Sequence, residues 1–187
     1  MKQFALVALR GTVAVVAFAG GAVALLFLFY EVHDFRPYLP RIEAIYASMD
    51  PEDRQPPDNV RTFVWKVDGD MVDGFTSSEL LAELRERPMR MSAWHYHSFM
   101  LGWMIRWHFS KLQRLALYCH YLLYEGGRGF TSAANFYFRK RPDTLSADEL
   151  ATIVAVGRAP RMNSPTRHPE RLEVTKKRLL SAYEKNQ

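Results

Sequence analysis

The side chains best suited to acid–base chemistry are Glu52 and Asp53, with Asp68, Asp70 and Asp73 further along. Chemistry at a glycosidic bond needs two carboxyl groups facing each other across a cleft, one holding a proton and one not. Nothing in the spacing pairs these five, and a solvated loop carboxylate is the simpler reading of each. His95 and His97, with His108 and His120 beyond them, raise the question of a metal. On a helix, positions i and i+2 point about 200° apart, so His95 and His97 cannot share an ion as the i, i+4 pair of a zinc helix does. These imidazoles read as interface or polar-face residues, and neither a metal nor an organic cofactor is expected. No Ser, Thr or Cys stands in a nucleophile elbow. Gly126, Gly127 and Gly129 lack the strand and lysine of a phosphate-cradling loop. The single cysteine, Cys119, excludes an intramolecular disulfide and sits in an apolar stretch, where a buried thiol is expected.

Charge offers a second kind of chemistry. The chain carries 25 Lys and Arg against 20 Asp and Glu, and the excess is not evenly spread. Between residues 158 and 178 seven Lys or Arg stand against two Glu. Arg158, Arg161, Arg167, Arg171 and Lys176 are therefore candidate anion-binding residues. Outside the cytoplasm their targets are the phosphates of lipids or of anionic glycan precursors, not nucleic acid.

The elements that must position these residues are mostly α-helical. Residues 41–49 have weak helical spacing (Ile42, Ile45, Tyr46, Met49), which Pro51, Pro56 and Pro57 then break. Residues 62–67 are β-rich and Asp68-Gly69-Asp70 reads as a turn, which predicts a short hairpin over 62–75. Thr76 with Glu79 has the form of a capping box and predicts a helix over 77–87, ended by Pro88. A helix over 92–108 is apolar on nearly every side. Phe99, Trp103 and Trp107 form one stripe, and Met100, Leu101, Met104 and Ile105 cover most of the remainder. Such a helix is central in a core or touches lipid. Further helices are predicted at 112–124 and 130–138, separated by a tight glycine loop at 125–129. A second capping box, Ser146 with Glu149, opens another that stops at Gly157. Pro169 suits the first turn of a closing basic helix that ends at 185.

Residues 11–30 contain no charged side chain and are rich in Val, Ala, Leu and Phe. At about 1.5 Å per residue they reach about 30 Å, the thickness of a bilayer's hydrocarbon core. Ala22-Val23-Ala24 mimics a signal-peptide cleavage site, but the apolar run continues past it, beyond the roughly 7–15 residues of a signal's apolar region. A retained anchor is expected. Lys2 and Arg10 precede the span while Glu31, His33 and Asp34 follow it, so the C-terminal portion is expected outside the cytoplasm. Tyr30, Phe35 and Tyr38 suit the outer interface. The expected organisation is a cytoplasmic N-terminus (1–10), a transmembrane anchor (11–30), a juxtamembrane connector with irregular or short β structure (31–75) and an α-helical domain (76–187).

Within that last region five blocks recur in a known order. Phe109-Ser110-Lys111, with Leu115 and Leu117-Tyr118, looks like an "FSK…IL-x-x-YLN" helix start. Gly127 to Gly129, then Ala133-Ala134 and Tyr137-Phe138-x-Lys140, is similar to a glycine loop and "AAA-x-x-YFGK". Leu145-Ser146 with Glu149-Leu150-Ala151 looks like "LTLAEAA-x-LA". Arg158-Ala159-Pro160, Ser164-Pro165 and His168-Pro169-Glu170-Arg171 are similar to "QAP…Y-S-P…NPERA". Together, from about His97 to Tyr183, they resemble the family 51 glycosyltransferases, the peptidoglycan transglycosylases that polymerise lipid II. The resemblance implies an α-rich, lysozyme-like domain behind a single membrane helix, with its N-terminal lobe truncated or degenerate. It implies a bacterial inner-membrane protein with a periplasmic domain. It also implies lipid II or glycan strands, membrane lipid and other envelope proteins as partners, and it adds Lys111 to the candidate substrate-binding residues.

The departures fall on the chemistry. The family's first motif places a catalytic Glu-Asp before Phe-x-x-His-x-Gly. Glu52-Asp53 take that place, but Gln55-Pro56-Pro57 follow and the Phe, His and Gly are missing. The Gly-x-Ser-Thr-Ile-x-Gln-Gln motif finds no counterpart. The second catalytic Glu falls on Ser98, the Glu before "FSK" on Arg106, and the Asn of "YLN" on His120. Three readings remain: a degenerate relative that binds lipid-linked glycan or serves an envelope machine, a divergent active transglycosylase using Glu52 or Asp53, and a structural subunit that never touches glycan. The first is favoured. The charge asymmetry about the span makes a separate prediction: a reporter fused at the C-terminus is active only outside the cytoplasm, and cytoplasmic activity would reverse the orientation.

Overall fold

The computed structural model describes residues 2–69, 71–85 and 88–185, with the side chains of residues 2–11 left out. Asp70, Arg87 and the side chains of Lys2 and Arg10, all used above, lie outside the described residues. The chain divides into two compact units after Pro40.

The first unit is helical throughout. Helix α1 runs Lys2–Tyr30, a π-helical turn follows at Glu31–Phe35, and α2 runs Arg36–Ser48, across the division. Val13, Phe18, Leu25 and Phe29 stand exposed along α1, the reverse of how a helix uses such residues in water. The helix is long and apolar enough to cross a membrane. Across the π turn Glu31 pairs with Arg36 at 3.1 Å, and the rings of Phe29 and His33 lie 4.4 Å apart.

The second unit is built from helices α3 (Pro51–Arg54), α4 (Asp58–Asp68), α5 (Met71–Leu84), α6 (Met91–His108), α7 (Lys111–Tyr121), α8 (Phe130–Phe138), α9 (Ala147–Arg158) and α10 (Pro169–Lys185). The region expected to be an irregular connector is thus largely helical. The hairpin expected over 62–75 does not form. Val60, Phe63 and Val64, at i, i+3 and i+4, are all buried, and this helical period overrides the β preference of the Thr and Val residues around it. Nor is Thr76 a cap. It lies fully buried inside α5, which begins at Met71, because Val72, Thr76 and Leu80 form one inward stripe. The helix ends at Leu84, where Arg41 donates to the terminal carbonyl at 3.0 Å.

From α6 onward the elements match the expected ones closely. The expected Ser146–Glu149 cap opens α9, and a further capping box not anticipated from the sequence, Ser110 with Gln113, opens α7. The glycine loop is a two-residue turn joining β1 (Leu123–Tyr124) to β2 (Gly127–Arg128), an antiparallel pair. Helix α9 is the centre of the core, with every residue from Leu150 to Gly157 buried. Cys119 is buried in α7, as expected of an inert thiol.

One polar group is drawn into this core. Asp68, at the end of α4, accepts hydrogen bonds from the Tyr118 hydroxyl of α7 and from Arg158 Nη1 of α9, the latter at 2.8 Å. Its side chain is almost wholly buried. Burial pushes its carboxyl above the ordinary carboxylate value, although the Tyr118 hydrogen bond and the Arg158 charge pull the other way.

Helix α6 separates the two roles open to it. Met100, Leu101, Met104 and Ile105 are buried, while Phe99, Trp103 and Trp107 are 61%, 38% and 57% exposed. The stability consequence is direct. Met104→Ala should cost about 2–5 kcal/mol, whereas Trp103→Ala should cost about 1 kcal/mol or less. Urea denaturation of the two variants in detergent tests this, and a larger loss for Trp103→Ala would put that ring in the core.

Candidate functional site

Pro51 at the first position of α3 and Asp50 before it, whose side chain accepts the Glu52 N–H at 2.8 Å, fix a single helical turn. Successive residues on a helix point about 100° apart, so one turn sends Glu52 and Asp53 to different surroundings. Asp53 is buried. Its Oδ1 accepts the backbone N–H of Thr131 at 2.8 Å and the Thr131 hydroxyl at 2.7 Å, so it caps α8 from a distant part of the chain. Gly129 stands just before that helix with φ +107°, and a Cβ there would lie 2.8 Å from Asp53 Oδ2. Glycine is required twice over, by conformation and by room. Burial raises the Asp53 carboxyl above its ordinary value, against the hydrogen bonds from Thr131 and the Phe130 backbone.

Glu52 is partly exposed and lies 3.4 Å from Arg141, which also approaches Asp143 at 3.5 Å. Glu52, Arg141 and Asp143 line a hollow of about 120 Å³ with Gln55, Pro57 and Pro142. Small-molecule sites typically exceed about 300 Å³, so this hollow does not enclose a sugar ring.

Ser98 lies elsewhere. Its hydroxyl meets those of Ser77 and Ser78 at 3.3 and 2.9 Å, across the contact of α5 with α6. Together with Asp73, Ser77, Phe99, Trp103 and Arg106 it lines a groove of about 380 Å³ that shares no residue with the Glu52 hollow. The groove's carboxylate, Asp73, is bound to Arg114 at 2.5 Å. Gly102 faces Ser77 across this contact, and a Cβ there would lie 3.4 Å from Ser77 Oγ, within ordinary contact distance. The sequence reading missed this serine cluster. Gly74, Thr76 and Ser77 keep the glycine and two hydroxyls of the first half of the Gly-x-Ser-Thr pattern, a signal too short to stand out alone.

The basic residues do not form one surface. Arg158 is committed to Asp68. Lys176 pairs with Asp148 at 2.9 Å and Glu173 at 3.1 Å; burial works against its charge, but these two partners outweigh it and raise its pKa. Lys111 sits 4.6 Å from the centre of the Trp65 ring, and Arg114 lies 5.5 Å from the same ring. Arg161 and Arg167 do come together, in a concavity of about 350 Å³ with Glu125, Ser164 and Thr166. The Ser164 and Thr166 hydroxyls donate to Glu125 at 2.5 and 3.0 Å and hold its carboxyl below the ordinary range. Arg171 lies in a separate hollow beside Met162 and Val174. Among the described residues no three His, Cys, Asp or Glu gather in a metal-sized group.

The raised carboxyl of Asp53 carries a pH signature. The folded state holds that proton more tightly than the unfolded chain, so the contribution to stability is fullest below the unfolded value and is lost as pH rises through the folded one. Asp53→Asn should therefore flatten the fall in stability from acid to neutral pH. Asp53→Ala strands the Thr131 donors and should cost about 1–3 kcal/mol. Denaturant melts at several pH values check both, and an unchanged slope in the Asn variant would count against the buried-acid assignment.

Residues 80–184, more than half of the chain, match a family profile described as Transglycosylase. The chain is 34% identical over 77 residues to penicillin-binding protein 1C of Escherichia coli, a match covering 41% of this chain and 10% of that protein. It is also 34% identical over 76 residues to a provisionally named transglycosylase of Cupriavidus necator, covering 40% of this chain and 33% of the relative. The chain thus spans a third or less of the curated relatives it matches. Glu52 and Asp53 fall before the profile match, whereas Ser98, the serine caps, the glycine loop and the basic tract fall inside it. With those blocks lying in order along α6 to α10, the chain belongs to the transglycosylase family.

Proposed function

We propose that this protein is a membrane-anchored transglycosylase relative that has lost polymerising chemistry and keeps a binding or accessory role toward lipid-linked glycan in the bacterial envelope. The inner membrane, with the helical domain on the periplasmic side, is the location this reading assigns. A polymerising enzyme must take a proton from an acceptor hydroxyl while stabilising a departing lipid pyrophosphate. The observation that carries the proposal is the serine cluster. Where the family's second acid belongs, Ser98 is hydrogen-bonded to Ser77 and Ser78, and a hydroxyl does not exchange a proton at neutral pH as a carboxyl does. Asp73, which shares the groove with Ser98, is bound to Arg114, and Asp53, away from that groove, caps a helix.

Binding, by contrast, keeps its means. Arg161 and Arg167 flank one concavity, and guanidinium groups suit phosphate through charge-assisted, paired hydrogen bonds. Lys111 and Arg171 are further exposed cations. Arg158 and Lys176 serve the fold in this reading, through the ion pairs already described.

A divergent active enzyme is favoured by one feature, the partly exposed Glu52 beside Arg141. Lipid II binding and polymerisation, measured side by side for wild type, Glu52→Gln and Arg167→Ala, separate the readings. The expected result is retention of lipid II without polymer by wild type and Glu52→Gln, with binding weakened about tenfold by Arg167→Ala. Polymer made by wild type and abolished by Glu52→Gln would overturn the degenerate reading. Absence of both binding and turnover would favour a structural subunit.

A further inference from the structure

Helix α6 has a composition that neither the core nor the serine groove explains. Its buried side is filled by Met100, Leu101, Met104 and Ile105. Its other side exposes Phe99, Trp103 and Trp107 in one row, the rings in edge-on contact with centroids 6.4 and 6.0 Å apart. Burial alone gives no reason for three large rings to stand outside a folded domain. Among the eighteen residues of α6 there is no Asp or Glu. The helix's own Lys or Arg is the exposed Arg106, exposed Arg90 and Lys111 flank the helix in sequence, and the one carboxylate lining the groove beside Phe99 and Trp103, Asp73, is bound to Arg114.

This combination distinguishes two kinds of occupant. A protein partner selects charges of both signs around an aromatic centre. A bilayer surface selects Trp and Phe at the level of the headgroups, with Lys or Arg on the flanks and no unpaired carboxylate, since anionic lipids repel one. The groove alongside also suits headgroup depth, because its Ser77, Ser98 and Arg106 are polar where the neighbouring Trp103 is apolar. The span at the N-terminus keeps the second unit near a bilayer at all times, so even a weak surface contact is populated.

We propose that the exposed face of α6 is a second membrane contact, lying in the plane of an anionic bilayer surface with Phe99, Trp103 and Trp107 among the headgroups and Arg106 against lipid phosphate. The proposal rests on the N-terminal helix being a retained anchor and is independent of any affinity for glycan.

The test uses the full chain reconstituted into vesicles of phosphatidylcholine with phosphatidylglycerol, in which the lipid carries bromine high on the acyl chain. A Trp65→Phe/Trp94→Phe variant leaves only the two exposed indoles. Their emission should be quenched by the brominated lipid, protected from aqueous iodide, and partly released by high salt. Arg106→Glu, a change at an exposed position with all four tryptophans kept, should lose much of the quenching, since each basic charge near an anionic surface contributes to binding. If the double variant does not fold, the fall in quenching between wild type and Trp103→Phe/Trp107→Phe reads the same quantity. Indoles open to iodide and untouched by brominated lipid would overturn the proposal. So would emission that shifts with protein density and not with lipid charge, which would give the face to a second copy of the chain. These vesicles contain no glycan, so either failure leaves the lipid II reading standing.

Discussion

The fold of the second unit depends on a carboxylate removed from water. Taking Asp68 into the core costs several kcal/mol unless donors replace its hydration. Tyr118 and Arg158 supply them from two other helices. The ends of α4, α7 and α9 are thereby held to one point, a constraint that apolar packing alone does not impose, since Leu and Val contacts tolerate sliding and directed hydrogen bonds do not. The central position of α9 follows. Its apolar residues face neighbours on every side because Arg158 fastens its last turn to the helix that ends at Asp68.

Asp53 repeats this logic elsewhere in the unit, binding the first turn of α8 to the short helix that carries it. Both acids are tied into the architecture, and each has a special neighbour: Arg158 for one, Gly129 for the other. The groove near Ser98 shows the complementary case. There Ser98 meets two further hydroxyls, those of Ser77 and Ser78, where α5 packs on α6. The ties made by Asp53 and Asp68 do not pass through that contact.

The helices from α6 to α10 were legible in the sequence because their signals are local: a serine cap followed by Glu, a glycine turn, and apolar spacing over long runs. The stretch from 62 to 75 was misread because β-preferring Thr and Val, with Asp-Gly beside them, outweighed the buried trio Val60, Phe63 and Val64. Ser98 was legible as the position that matches the family's second acid, since it is counted along one helix from Lys111. Its hydroxyl partners on α5 were not, and neither was the fate of Asp53, whose partner Thr131 lies 78 residues away. The same distance problem affects the basic tract. Counting charges finds Arg158 but not Asp68, whereas the Glu173 partner of Lys176 is three residues away and could have been read from helical spacing.

The long reach of these two ties also orders the events of folding. Closing a loop costs entropy that grows with its length, and that cost is met before the contact contributes anything. The Asp53–Thr131 and Asp68–Arg158 contacts close loops of 78 and 90 residues, while the caps, the β turn and the α9–α10 pairing are made between near neighbours. By loop-closure cost alone, the contacts among the C-terminal helices are the cheaper ones to make, and the ties of the segment carrying both aspartates are the most costly. During synthesis the order of emergence is the opposite: Val60, Phe63 and Val64 leave the ribosome well before Arg158 exists to anchor the helix they belong to. For that interval an apolar helix face has no core to enter, since α3 and α4 wait on partners, α8 and α9, that have not yet been made.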